Sequence, residues 1–208
     1  MEQKLIKELK KSYKLKKSRI TAKLNWFKSL SESEQKKEFM FCLLTPQSNA
    51  QRCWEAVEQL NLLNKFTDDK IKEILKAKTR FYNNKTKYIL EAEKTWNNLK
   101  QKLKINDKKD SIKNLRNWLA DNVKGYGLKE ASHFLRNIGK SNNQIAILDR
   151  HIVRNMKKFG IITDESIKSG RDYLEKEQKF LEFSKKIGIP ADELDLLFWS
   201  NENGEIFK

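Results

Sequence analysis

The chain has 208 residues, enough for one large domain or two small halves around a shared cleft. Its 44 Lys and Arg stand against 28 Asp and Glu, leaving a net charge of +16 that attracts polyanions, with nucleic acid the leading partner and a merely Lys-rich surface the bland alternative. Two cysteines, Cys42 and Cys53, form no C-x-x-C pair, so a cysteine-built zinc or iron–sulfur site lacks ligands.

Apolar residues recur at three- and four-residue spacing nearly throughout, while period-two alternation is scarce, so the chain reads as all-α. The first 28 residues hold ten Lys and Arg against two Glu, too charged for a signal peptide. Leu5, Ile6, Leu9 and Tyr13 still give them an apolar stripe, which predicts a docked helix whose basic face is either solvated or turned to DNA. Ser31 with Glu34 spaces a capping box ahead of Phe39 to Leu44. Pro46 ends that helix, and the next runs to about Leu60 with Cys53, Val57 and Leu60 on one face, which favours core packing for Cys53 over a disulfide. Thr67 or Asp68 caps the helix that carries Ile71, Ile74 and Leu75. Tyr88, Ala92, Trp96 and Leu99 share a face, as do Ile112, Leu115, Trp118 and Leu119. Gly139, Gly160 and Gly188 each follow an apolar periodic stretch, as helix-terminating glycines do. Pro190 suits the first turn of a last helix running through Trp199. No apolar run approaches the ~20 residues of a membrane span, so we expect a cytoplasmic chain with no membrane partner. Nothing resembling a linker or repeat interrupts residues 1–208, which read as a single helical unit.

The most informative stretch is Val123-Lys124-Gly125-Tyr126-Gly127-Leu128-Lys129-Glu130-Ala131, between helices expected at about Ser111 to Asn122 and Leu128 to Ile138. Two glycines one residue apart permit backbone angles that other residues resist, so a tight hairpin can aim N–H groups at an anion where the second helix begins. Lys124, Gly125 and Gly127 therefore read as a sequence-independent grip on a nucleic-acid backbone. Lys129 falls in the first turn of that second helix, where the positive dipole end disfavours a cation and favours the neutral amine that attacks carbon. An exposed or phosphate-binding lysine is the plainer alternative. Asp149 follows the apolar run Ile145 to Leu148 at the start of another helix, where it serves as an N-cap or as a carboxylate beside a cleft. His133 and His151 lack further ligands at metal spacing and read as core or hydrogen-bonding residues.

Residues 111–154 resemble the helix-hairpin-helix and aspartate signature of the DNA glycosylase superfamily: hydrophobic-x-Gly-x-Gly-x-Lys-x-Ala, then an aspartate about twenty residues on. The tail, from Asp195 through Trp199 and Gly204 to the terminal Lys208, is similar to the archaeal type 2 branch of 8-oxoguanine DNA glycosylases. Lys124 departs from the usual proline, Asn203 from an expected threonine, and the Gly/Pro-rich loop shrinks to Gly139-Lys140-Ser141-Asn142-Asn143. The resemblance implies two helical halves around a DNA-binding cleft, Lys129 as nucleophile and Asp149 as catalytic carboxylate. It implies that Gln47, in Leu43 to Ala50, wedges the duplex, and that Phe81 with Arg80 fills the gap left by an extruded base. It implies that Lys208 reads the base and that Trp199 lines or supports its pocket; a turn residue at Gln47, a core Phe81 and a frayed tail are the bland alternatives.

The activity so implied is base-excision repair by a bifunctional glycosylase and AP lyase acting on 8-oxoguanine in double-stranded DNA, as a monomer and with no cofactor or metal. The same chemistry on an oxidised pyrimidine, or a helix-hairpin-helix module that binds DNA without catalysis, remain the alternatives.

Overall fold

Alternating apolar and charged stretches with few prolines leave the backbone one economical way to satisfy its hydrogen bonds, and the computed structural model, which describes residues 2–105 and 111–208, takes it. The described residues hold ten helices and no strand, so the all-α expectation holds. In chain order they are α1 (Glu2–Lys28), α2 (Glu32–Leu44), α3 (Ala50–Asn61), α4 (Asp68–Lys76) and α5 (Tyr82–Ile105). There follow α6 (Ser111–Asn122), α7 (Leu128–Asn137), α8 (Arg150–Lys158), α9 (Gly170–Ile187) and α10 (Ala191–Asn203). The chain divides into two units, one of residues 30–134 and the other of residues 1–29 with 135–208.

The unit of residues 30–134 is built on α2, every residue of which from Glu38 to Leu44 is buried. Phe39 is its hub: the rings of Tyr126 and Phe134 lie 5.4 Å away and that of Trp96 5.6 Å away. Each such ring removed from water contributes roughly 1.5–3 kcal/mol. The capping box at its start is real, with Glu34 accepting from Ser31 N at 2.7 Å while Ser31 Oγ accepts from Glu34 N. Thr67 occupies the N-cap of α4 as expected, but its side chain makes no capping bond there. Trp118 is half-buried, unlike Ile112, Leu115 and Leu119 with which it shares a face, and the Lys102 ammonium lies 4.6 Å above its ring. Cation–π contact lets an amphipathic ring stay at the surface that periodicity alone assigns to the interior.

In the other unit, Phe198 of α10 stacks on Phe159 at 5.4 Å and meets Phe180 of α9 at 6.3 Å. Against this core α1 docks, burying Leu9, Ile20 and Phe27. Tyr13 donates to Glu193 at 2.7 Å and Lys16 to Asn201 at 2.7 Å, so the basic N-terminal segment is fastened to α10 as the apolar stripe predicted. The end of α1 comes so close to Gly139 that a Cβ there would lie 2.7 Å from the Lys28 Cα. Gly188 ends α9 in the left-handed conformation expected of it. Pro190 sits one position earlier than expected, at the N-cap of α10 rather than inside its first turn.

Candidate functional site

The hairpin between α6 and α7 is held by backbone bonds, a buried tyrosine and a glycine. Val123 N donates to Leu119 O, continuing α6, and Tyr126 N returns to Val123 O at 3.0 Å. Tyr126 is buried, and its hydroxyl donates to Phe39 O at 2.9 Å, tying the hairpin tip to the core. Burial pushes that hydroxyl's pKa well above the usual tyrosine range, so it remains a donor. Gly125 lies at φ +94°, and a Cβ there would meet the Tyr88 ring at 2.6 Å. Gly127 shows no such angle; only Gly125 uses the conformational freedom that the sequence suggests for both. Lys124, where the glycosylase pattern has proline, is exposed.

Lys129 stands in the first turn of α7, half-buried, its Nζ 2.8 Å from Glu130 Oε1. Glu130 also accepts from the N–H of Gly127 at 3.1 Å through Oε2. The anion expected at this helix N-terminus is thus supplied by the chain itself, and one carboxylate satisfies both an orphan backbone donor and the amine. A glutamate three residues past a helix start is the sequence signal for this arrangement, here with glycine in place of the usual Ser or Thr.

Two other turns of the same unit carry residues singled out in the sequence. Ser48 N bonds Thr45 O at 3.0 Å, closing a turn with Pro46 and Gln47 at its centre; Gln47 is exposed and takes φ 55°. Phe81, just ahead of α5, takes φ 56° and is 54 % exposed, with the Arg80 guanidinium 5.6 Å from its ring. Left-handed backbone at non-glycine residues costs on the order of 1–3 kcal/mol each and persists only where neighbours enforce it. The Gln47 turn is braced by Lys85, a residue with no separate role in the sequence pattern. Its buried ammonium donates to Leu44 O at 2.7 Å, Pro46 O at 2.9 Å and Ser48 Oγ at 2.8 Å. Neither Cys42 nor Cys53 is in a disulfide, and both are buried; Cys53, beside Lys85, donates to Leu44 O at 3.1 Å, and burial pushes its thiol up to about 11, an inert core group.

In the other unit, Asp149 is the N-cap of α8, with Oδ1 accepting from His151 N and Ile152 N, both at 2.9 Å. The run that delivers it is clamped from α9: Ala146 N donates to Glu177 at 2.8 Å and the Tyr173 hydroxyl donates to Ala146 O at 2.6 Å. The shortened loop ahead of it is anchored by Asp192, which accepts from Ser141 Oγ at 2.6 Å and Asn143 N at 3.2 Å. Asp149 also lies close enough to Asp195 to act on it electrostatically. Burial pushes the Asp195 carboxyl up to about 7; Arg136, 3.1 Å away, opposes this, and the charges of Asp149 and Asp192 reinforce it. Asp195 opens the tail pattern, but its pairing with Arg136 and the role of Asp192 did not stand out in the sequence, since contacts across α7 and α10 leave no short spacing to read.

The C-terminus is held, not frayed. Lys208 is buried, its Nζ 5.4 Å from the ring of Trp26, a residue of α1 that the sequence did not point to. Trp199 is half-buried between His151 and Phe207, with ring centroids 6.4 Å apart in each case. His151 pairs with Glu202, and His133 packs edge-on against Phe41, so both have the hydrogen-bonding or packing places expected. Among the described residues no three His, Cys, Asp or Glu side chains gather as a metal site would require.

Comparison with known proteins places these groups in context. The family model described as 8-oxoguanine DNA glycosylase matches residues 4–189. An 8-oxoguanine DNA glycosylase/AP lyase of Fusobacterium nucleatum is 38% identical over 97% of this chain and 96% of its own. The crystal structure of the 8-oxoguanine DNA glycosylase of Thermotoga maritima superposes with a TM-score of 0.84 at 28% identity, covering 100% of both chains. That of the Methanocaldococcus jannaschii 8-oxoguanine glycosylase/lyase, in complex with a 15mer DNA containing 8-oxoguanine, gives 0.85 at 31% identity, covering 98% of this chain and 99% of that one.

Proposed function

The chain belongs to the 8-oxoguanine DNA glycosylase family, and from that membership we propose that it removes 8-oxoguanine from double-stranded DNA and then cuts the strand. The observation that carries the proposal is the likeness, over nearly the whole of both chains, to a glycosylase/lyase solved with DNA containing that base.

The basic surface draws the duplex in, and the hairpin at Lys124, Gly125 and Gly127 grips the phosphate backbone, a phosphate displacing Glu130 from the N–H of Gly127. A damaged base is taken out of the stack, with the Gln47 amide facing the orphaned partner and the Phe81 ring, flanked by Arg80, replacing lost stacking. Lys129, as neutral amine, attacks C1′ of the sugar; the C1′–N bond to the base breaks and the base departs with its electron pair, taking up a proton. The C1′–O4′ bond then opens, O4′ taking up the proton shed by the amine, and the enzyme–sugar bond becomes a Schiff base; loss of a C2′ proton expels the 3′ phosphate, and water frees the lysine. Asp149 stabilises positive charge at the sugar, help that is worth several kcal/mol, about 3 for a well-placed group. Lys208 reads the oxidised purine edge, supported by Trp199. No described helix is long and apolar enough to cross a membrane; the proposal includes a monomer acting in the cytoplasm.

Borohydride trapping of a covalent protein–DNA adduct tests this directly. The adduct is expected on an 8-oxoguanine duplex and much less on a thymine glycol duplex; the reverse ranking would reassign the substrate to oxidised pyrimidines. Tight duplex binding with no adduct on any lesion would leave only a DNA-binding module.

A further inference from the structure

Lys85 is buried to 3 % exposure in a protein whose other lysines mostly reach water. A buried ammonium ordinarily lies against a carboxylate, because an unpaired charge removed from water is destabilising. Here its three hydrogen bonds all go to uncharged oxygens, the carbonyls of Leu44 and Pro46 and the hydroxyl of Ser48. Those oxygens bracket Gln47 on both sides. The second turn is reached through the backbone: Lys85 N donates to Phe81 O at 3.1 Å, and Arg80 N donates to the same Ser48 Oγ at 2.9 Å. One lysine and one serine therefore join the two turns whose central residues hold left-handed backbone and point exposed side chains outward.

We propose that Lys85 is a positioning residue for base excision, its ammonium locking the Gln47 turn to the Phe81 turn so that the amide and the ring enter an opened duplex as one rigid clamp. This rests on the reading of Gln47 and Phe81 as duplex-opening residues. The side-chain chemistry suits a lock of this kind, since an ammonium has three donors for three acceptors, whereas methionine has the reach but no donor and arginine presents a planar fork. Burial pushes the amine down to about 8, with the charges of Lys129 and Arg80 acting in the same direction. A residue selected for core stability alone would be apolar here; a lysine that must shed its hydration is retained for the geometry it imposes. The lock also explains why two strained turns, far apart in sequence, persist side by side in one unit.

The test uses the full chain with K85M, and with Q47A/F81A as the reference. Single-turnover excision is measured on 8-oxoguanine in a fully paired duplex and on the same lesion in a single-base bulge, where the stack is already broken. Fluorescence of 2-aminopurine beside the lesion reports opening. We expect K85M to slow excision from the paired duplex about tenfold or more, to change the bulge by less than about threefold, and to add little in the Q47A/F81A background. Equal losses on the two substrates, or none on either, would overturn the role of Lys85. A Q47A/F81A variant that opens and excises the paired duplex like the parent would instead overturn the reading beneath it. Should K85M not fold, S48A removes the bridge to Arg80 and one acceptor while keeping the buried charge; it should show the same substrate bias in smaller measure, and its absence would be equally decisive.

Discussion

The N-termini of α7 and α8 invite comparison, because each carries one of the two proposed reacting groups and each treats the helix dipole differently. At α8 the carboxylate of Asp149 sits where the dipole wants an anion, and its Oδ1 caps two backbone N–H groups. At α7 the first turn carries a cation, Lys129, which the dipole opposes, and the neighbouring Glu130 supplies both the missing cap and the counter-charge. One reacting group therefore stabilises the element that holds it, while the other is tolerated through a neighbour. A residue placed against its local preference is the stronger pointer to chemistry.

Activity should break this comparison most severely at α7. K129Q keeps a polar side chain of similar reach but no nucleophile, and we expect it to abolish borohydride trapping and lower single-turnover excision by about 10⁴-fold or more. A trapped adduct from K129Q would remove Lys129 from the mechanism. The effect at α8 should be next in size: D149N preserves a capping oxygen while removing the charge, so duplex affinity should hold while turnover falls about 10²–10³-fold. Unchanged turnover would return Asp149 to the role of a cap alone.

The helix starts that carry these two groups were legible because each is a break in helical periodicity. Gly125 marks a turn, Pro46 another, and the Ser31–Glu34 spacing a helix start, so the boundaries of α6 and the starts of α2 and α8 come directly from residue chemistry. Lys85 was not legible: in a chain with 44 Lys and Arg, burial of one of them depends on which loops close over it. Pro46 announces a turn, yet the left-handed angle at Gln47 follows from bonds made by residues nearly forty positions away. The Arg136–Asp195 pair was hidden for the same reason, being a contact between helices that share no local pattern. Sequence spacing speaks for neighbours along one element, and these features depend on long-range closure.

The hairpin beneath Lys129 sharpens the contrast through its two glycines. Gly125 combines φ +94° with the Tyr88 ring at 2.6 Å from an added Cβ, so G125A should destabilise the fold by about 2–3 kcal/mol in chemical denaturation. Gly127 has neither obstacle, its added Cβ meeting only Glu130 Oε2 at 3.3 Å, and G127A should cost at most about 0.5 kcal/mol. Equal losses would mean that the tip of the hairpin, not the angle at Gly125, sets its stability.

The smallest effect separates the two helix starts most cleanly, because it concerns stability with chemistry set aside. D149A deletes a side-chain cap that accepts two backbone bonds, and should cost about 1 kcal/mol, whereas D149N should cost only a few tenths. K129A removes a cation from the positive end of α7, a gain of about 0.3–1 kcal/mol, and also its ion pair with a side chain that stays in place as a cap, a loss of similar size. The two terms should cancel to within about 0.5 kcal/mol. Denaturant midpoints for the three variants would decide the matter: if K129A proved as destabilising as D149A, Lys129 would be a structural member of its helix start, and its standing against the dipole would no longer point to a reaction.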